Sequence, residues 1–196
     1  MDKSYFNTFI IPTIGRNTLK RAIESVLALD NTLVLVVYDG FKQKPPIIHD
    51  NVIYLETKKH CKNAGIVRNL GISYIAKNVN TSYISFLDDD DIIKPDFNLV
   101  VENHKKYDII IHSIEFPYHP NGRKKLPIKS GTGIHRGNMG IAMSIKAGIL
   151  DKYDIKFTSD KGEDYIFAKS LIDKGCSHYK TGIITYIAPS RGNWKK

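Results

Sequence analysis

The chain has 196 residues and carries 29 Lys and Arg against 20 Asp and Glu, a formal net charge of +9. At 42% hydrophobic and 10% aromatic residues it can bury a substantial core, which excludes wholesale disorder. Its apolar runs, Ile109 to Ile111 among them, fall far short of the ~20 residues that a membrane-spanning helix needs.

The length fits one domain, or at most two small ones. The start, Met1-Asp2-Lys3-Ser4, has no charged segment leading into an apolar stretch, so no signal peptide is expected. The two cysteines, Cys61 and Cys176, form no CxxC pair and are too few for a disulfide scaffold. A reducing, cytoplasmic setting is the expectation. The basic excess points to an anionic partner: nucleic acid, an anionic surface, or the phosphates of a small ligand.

In chain order, Thr8-Phe9-Ile10-Ile11 reads as a buried strand ended by Pro12. Asn17 and Thr18 are candidate caps. Leu19, Ala22, Ile23, Val26 and Leu27 then recur at helical spacing, which predicts a helix of about 11 residues. Thr32 to Val37 is a second strand, closed by Tyr38-Asp39-Gly40, and Val52 to Leu55 is a third. Asn63 to Ala76 reads as a helix. Ser82 to Leu87 is a fourth strand that runs into Asp88-Asp89-Asp90-Asp91. This alternation predicts an α/β fold, a mostly parallel central sheet flanked by helices. Ligands of such sheets bind beyond the carboxyl ends of the strands. Thr13, Arg16, Asp39 and the aspartates all fall there.

The second half is less regular. Tyr107 to Ser113 and Met139 to Ile145 read as strands, and Pro117 to Arg136 as a long loop. Tyr165, Ala168, Leu171 and Ile172 mark a helix ending at Lys174-Gly175, and Ile183 to Ile187 is a late strand. The tail from Arg191 to Lys196 is basic.

The strongest chemical feature is Asp88 to Asp91. Four adjacent carboxylates repel one another unless a cation offsets them. In an extended segment Asp88 and Asp90 share a side and can face one divalent cation, Mn²⁺ or Mg²⁺, that also bridges phosphates. A solvated acidic turn is the alternative. Glu163 and Asp164 open a helix, where acids suit the dipole and a fixed carboxylate can also act as a general base. Ile11 to Arg16 is a tight strand-to-helix loop without the GxxxxGK[ST] or GxGxxG pattern. His60 and Cys61 resemble a nucleophile and base only by adjacency, and neighbouring side chains rarely face each other, so a structural role is favoured. The clusters Lys58-Lys59, Arg123-Lys124-Lys125 and Lys195-Lys196 read as solvated surface.

With these segments in order, the sequence resembles the family-2 glycosyltransferases of the GT-A fold. The matching stretches are Phe9 to Thr13, Val36 to Gly40, Asn63 to Ile72, Phe86 to Asp91 and Gly162 to Tyr165, within residues 5 to 175. The resemblance implies one GT-A-like catalytic domain over 1–196, with a nucleotide-binding half at about 5–91 and an acceptor half at about 92–196. It implies transfer of a sugar from a nucleotide-diphosphate donor, a UDP- or GDP-sugar, to a hydroxyl of a glycan, lipid-linked or protein acceptor, with inversion. It assigns Thr13, Asp39, Arg16, Arg68 and Asp88 to the nucleotide, and Asp90 with Asp88 to Mn²⁺ or Mg²⁺. Asp164, or secondarily Glu163, becomes the base, and Gly137 and Asn138 lie near the donor sugar or acceptor. No specific nucleic acid and no transmembrane segment are implied; contact with a membrane would be peripheral. Two differences stand out. The family commonly has two adjacent acids where this chain has Tyr38-Asp39. A late metal-binding His is missing from Tyr186 to Arg191, with His178 lying early. The competing readings are a sugar nucleotidyltransferase, for which Gly15-Arg16 is only a fragment of the signature, and a non-catalytic basic module binding nucleic acid or an anionic polymer.

Overall fold

The computed structural model describes residues 3–40, 44–118, 125–126 and 129–189. The basic tail at 191–196, the Arg123-Lys124 pair and part of the 117–136 loop lie outside the described residues.

The elements run β1 (Ser4–Thr13), α1 (Leu19–Leu27), β2 (Thr32–Tyr38), β3 (Val52–Glu56), α2 (Ala64–Asn78), β4 (Asn80–Phe86), β5 (Ile92–Ile93), α3 (Phe97–Asn103), β6 (Ile109–Glu115), β7 (Lys125–Leu126), β8 (Met143–Lys146), α4 (Ala147–Tyr153), α5 (Glu163–Asp173) and β9 (His178–Ile187). Among the described residues they form one mixed sheet in the order β3-β2-β1-β4-β8-β6-β9-β5, with β7 added on β6. Strands β3, β2, β1 and β4 are parallel. Strand β8 runs antiparallel to both β4 and β6, and β6 pairs parallel with β9.

The parallel half follows directly from the apolar runs. Every residue of β2 is buried, as expected for a strand covered on both faces. Helix α1 turns Leu19, Ala22, Ile23 and Val26 inward, over nine residues rather than eleven. Thr18 is its N-cap, but its side chain makes no capping bond. Asn63 does cap α2, accepting from the Ile66 N–H at 2.9 Å. Gly71 lets α2 lie close on β1, since a Cβ there would meet Ile10 Cγ2 at 2.8 Å.

Several expectations are corrected. Strand β1 does not stop before Pro12 but runs through it to Thr13. The last bond toward β4 is Leu87 N–H to the Ile10 carbonyl, so Pro12 lies past the end of that ladder and its missing N–H leaves no partner wanting. The strand expected at Met139–Ile145 shortens to Met143–Lys146. The one expected at Tyr107–Ser113 sits later, at Ile109–Glu115. Strand β5 and helices α3 and α4 are additions.

A row of buried polar side chains crosses five strands. Asn7 Oδ1 accepts from Ser85 Oγ at 3.0 Å, which meets Ser144 Oγ at 2.7 Å. Ser144 Oγ meets His112 Nε2 at 3.0 Å, and Thr185 Oγ1 meets His112 Nδ1 at 2.9 Å. Each strand contributes one residue, so the row fixes the register across the parallel and mixed halves.

Candidate active site

The winding direction of the sheet reverses between β1 and β4, because β2 and β3 lie on one side of β1 and β4 on the other. A cavity of about 480 Å³ opens at the carboxyl ends of these strands. Thr13 comes from the end of β1, Asp39 from just after β2, and Asp88, Asp89 and Asp90 from just after β4. Helix α2 adds Arg68, and the first turn of α5 adds Glu163 and Asp164. Arg16, Ile14, Lys62, Asn63, Ala64 and Val67 complete most of the wall.

The four aspartates are not alike, and they are not extended. The Asp91 N–H bonds the Asp88 carbonyl at 3.1 Å, so residues 88–91 form a turn. Asp89 points inward, 2% exposed, and accepts from Thr13 Oγ1 and Arg16 Nη1, both at 2.6 Å. Burial pushes its carboxyl above the usual range, while the Thr13 and Arg16 bonds act against that rise. Asp88 stays at the cavity, held by Arg68 Nη2 at 2.5 Å and by its own N–H, which donates to the Tyr186 hydroxyl at 3.0 Å. Asp90 also borders the cavity, 3.7 Å from Arg16 Nη1, and its carbonyl accepts from Arg21 at 3.0 Å.

Arg68 is 2% exposed and joins the two sides of the site. Its Nη1 donates to Glu163 at 3.2 Å while Nη2 holds Asp88. Burial alone would lower its pKa, but Asp88, then Asp164 and Glu163, outweigh this and raise it. Its guanidinium also lies 5.5 Å from the ring centre of Phe157. Phe157 stacks on Phe167 of α5 at 3.8 Å. The Phe157 backbone exchanges two 2.9 Å bonds with the Asn69 side chain, Nδ2 donating to its carbonyl and Oδ1 accepting from its N–H. Through these contacts α2 sets the position of the α5 start, and so of Asp164.

Asp39 is 7% exposed and is tied to the segment before α2. It accepts from the Cys61 N–H at 2.5 Å and the Lys62 N–H at 2.9 Å. The Cys61 thiol faces the Lys59 carbonyl at 3.5 Å. His60 Nδ1 lies 3.8 Å from Asp39, so His60 and Cys61 do not form a nucleophile–base pair with each other.

Thr13, Arg16, Asp39, Arg68, Asp88, Asp90, Glu163 and Asp164 thus meet at one cavity. Gly137 and Asn138 do not line it. Asn138 closes its own turn, accepting from the His135 N–H at 2.9 Å and donating to the Gly133 carbonyl at 3.3 Å. His178 is not at the cavity either; its Nε2 donates to the Thr132 carbonyl at 2.6 Å. Sequence reasoning missed Asp89 as the internal anchor and Lys62 as a wall residue. Among the described residues, no three His, Cys, Asp or Glu side chains are grouped to hold a metal by themselves.

A family model described as Glycosyl transferase family 2 matches residues 8–166. The chain belongs to this family. The match spans the strand ends and the start of α5, and so every residue at the cavity. Comparison with curated proteins gives no match. Among solved structures, S. aureus TarS 1-349 superposes with a TM-score of 0.72 at 17% identity, covering 94% of this chain and 60% of that one. A structure titled as S. aureus TarS gives 0.70 at 16% identity, covering 94% of this chain and 36% of its own. TarS 1-349 in complex with UDP-GlcNAc gives 0.67 at 15% identity, with 95% and 59% covered. The chain therefore spans no more than about three fifths of these neighbours. The likeness establishes the shared fold, a single α/β domain of the GT-A type. No helix among the described residues is long and apolar enough to cross a membrane.

Proposed function

We propose that this chain transfers a sugar from a uridine-diphosphate donor to an acceptor hydroxyl, with a divalent cation and with inversion. The observation that carries the reading is the joint placement of Asp88 and Asp90 at the end of β4 and of Asp164 at the start of α5, around one cavity. A uridine donor is favoured because the structurally similar TarS 1-349 forms complexes with UDP and UDP-GlcNAc.

The charge of the wall supports the cation. Six carboxylates line the cavity, Asp39, Asp88, Asp89, Asp90, Glu163 and Asp164, against three cations, Arg16, Lys62 and Arg68. The formal lining charge is −3, which repels a diphosphate unless further positive charge enters with it. Mn²⁺ and Mg²⁺ take few protein carboxylates and complete their shells with phosphate oxygens and water, so Asp90, with Asp88, fits as the protein's share. When bound, the ion neutralises charge on the departing diphosphate.

The protein's own groups do the rest. Arg68 and Tyr186 hold Asp88 at the cavity, and Asp89 holds the Thr13–Arg16 loop beside it. Glu163 is engaged by Arg68 at 3.2 Å, which gives it a positioning role. Asp164, on the same helical turn and bordering the cavity, accepts the acceptor hydroxyl proton as the oxygen bonds to the anomeric carbon. The bond from that carbon to the diphosphate oxygen breaks at the opposite face, which inverts the centre. A cytoplasmic setting suits a nucleotide-sugar donor and the free cysteines Cys61 and Cys176.

The test is calorimetric titration of UDP with and without Mn²⁺, together with donor hydrolysis. Binding that Mn²⁺ strengthens, and that Asp90→Asn loses, is expected. Equal UDP binding by wild type and Asp90→Asn in Mn²⁺ would sink the assignment.

A further inference from the structure

Three cations line the cavity, but two of them are already committed. Arg16 sits 2.6 Å from Asp89 and 3.7 Å from Asp90. Arg68 sits 2.5 Å from Asp88 and 3.2 Å from Glu163. Both are thereby spent on holding the acidic turn and the start of α5. The Lys62 side chain makes no ion pair or hydrogen bond with any described residue, although Lys62 lines the cavity and its backbone N–H is fixed on Asp39.

The backbone at Lys62 is also unusual. Its φ is +53°, a left-handed conformation that Gly or Asn adopts more cheaply than lysine. The geometry is held from below by its N–H donating to Asp39 Oδ2 at 2.9 Å. The turn therefore fixes the segment before α2 against Asp39, and it sets the exposed Lys62 among the residues of the cavity wall. Strained positions of this kind concentrate where the side chain has a task.

We propose that Lys62 contacts the donor's diphosphate directly, supplying the positive charge that Arg16 and Arg68 cannot release. This rests on the uridine-diphosphate reading above. An ammonium on a four-carbon stem suits a mobile phosphate as a point charge, whereas Arg68 is locked between Asp88 and Glu163 and Arg16 is paired with Asp89 through Nη1. Lys62 thus acts in binding, and the acidic turn keeps its internal partners whether or not donor is present.

The experiment compares UDP with uridine, both in Mn²⁺, on wild type, Lys62→Met and Lys62→Arg. Methionine keeps the stem and removes the charge, and the backbone bond to Asp39 needs no side chain. Lys62→Met is expected to weaken UDP binding about tenfold or more, as for loss of one charge-assisted bond. Uridine affinity should stay within about twofold, and Lys62→Arg should restore most of the UDP affinity. Thermal unfolding of each variant without ligand checks that the fold is kept. Unchanged UDP binding by Lys62→Met, or an equal fall for UDP and uridine, overturns the diphosphate contact while leaving the glycosyltransferase reading in place. Failure of wild type itself to bind UDP overturns both.

Discussion

Replacing Arg68 with methionine tests how the site is held together. The side chain is 3% exposed, and its guanidinium bridges Asp88 at 2.5 Å and Glu163 at 3.2 Å. Methionine fills much of the same space, so the cavity cost is small. The main cost is electrostatic: two carboxylates, each about one quarter exposed, lose their shared cation and face each other and Asp164. Breaking a fully buried pair costs about 3–5 kcal/mol. Partial solvent access for the acids lowers this, so about 2–4 kcal/mol is expected here. For a domain of this size, that corresponds to a fall in Tm of roughly 4–16 °C.

The assay is urea unfolding at pH 7.5, in low and high salt. Because the guanidinium is buried, salt should change the wild-type value little. A cycle with Asp88→Asn separates the pair from its surroundings: the double variant should lose less than the sum of the single losses. Arg68→Lys should recover only part of the stability, since one ammonium cannot reach both carboxylates in a fixed fork. A loss below about 1 kcal/mol for Arg68→Met, equal to that of an exposed ion pair, would refute the bridging role.

Other perturbations give equally direct readings. Asp89→Ala removes the acceptor of the Thr13 hydroxyl and the nearer of Arg16's two acidic partners, and should cost about 1–3 kcal/mol in a urea melt, with no rescue by Mn²⁺. Gly71→Ala should destabilise by about 1–2 kcal/mol, because the new Cβ meets Ile10 Cγ2 at 2.8 Å inside a packed sheet and this outweighs the helix preference of alanine; a gain in Tm would contradict it. His112 is held neutral by burial, its pKa lowered to about 3 from 6.5. The unfolded chain therefore binds one more proton between these values, so stability is unaffected above pH 6.5 and falls by about 1.4 kcal/mol per unit as pH drops toward 3. Urea melts from pH 7.5 to 5 should show this slope in wild type and a shallower one in His112→Gln.

The parallel half of the fold was legible because its signals are long and local. Strand β2 is an unbroken apolar run, and α1 repeats its buried residues at helical spacing. Strand β5, at two residues, and α3 and α4, at seven each, are shorter than any reliable period. They are defined by pairing with β9 and by packing, which no local window contains. The site divides in the same way. Strand ends announced Thr13, Asp39 and the aspartates, because polar residues directly after a buried strand must lie at the sheet edge. The partners of those residues were not legible. Arg16 reaches Asp89 across 73 residues of chain, and Arg68 reaches Glu163 across 95. Sequence assigned both arginines to the nucleotide, and the fold shows each one also neutralising an acid. Likewise, four identical aspartates gave no hint that the turn at 88–91 ties Asp89 to Thr13 and Arg16 on the cavity wall while Arg68 holds Asp88.

The overall charge of +9 and the lining charge of −3 have opposite signs, and that opposition bears on specificity. A surface that bound polyanions for its own sake would place its cations where the polymer lies, as a continuous basic track. Here acids outnumber cations on the cavity wall, and the two arginines among them pair with carboxylates at 2.5–2.6 Å. A bare polyphosphate or nucleic acid entering this cavity meets net repulsion. On the proposed reading, a diphosphate accompanied by a divalent cation would bring the missing charge with it, so the cavity would favour the two together. The basic exterior then attracts anions over a distance, within about a Debye length. On the same proposed reading, the acidic turn would favour anions that arrive with a cation, and such sorting would distinguish the proposed nucleotide-sugar site from a general anion-binding surface.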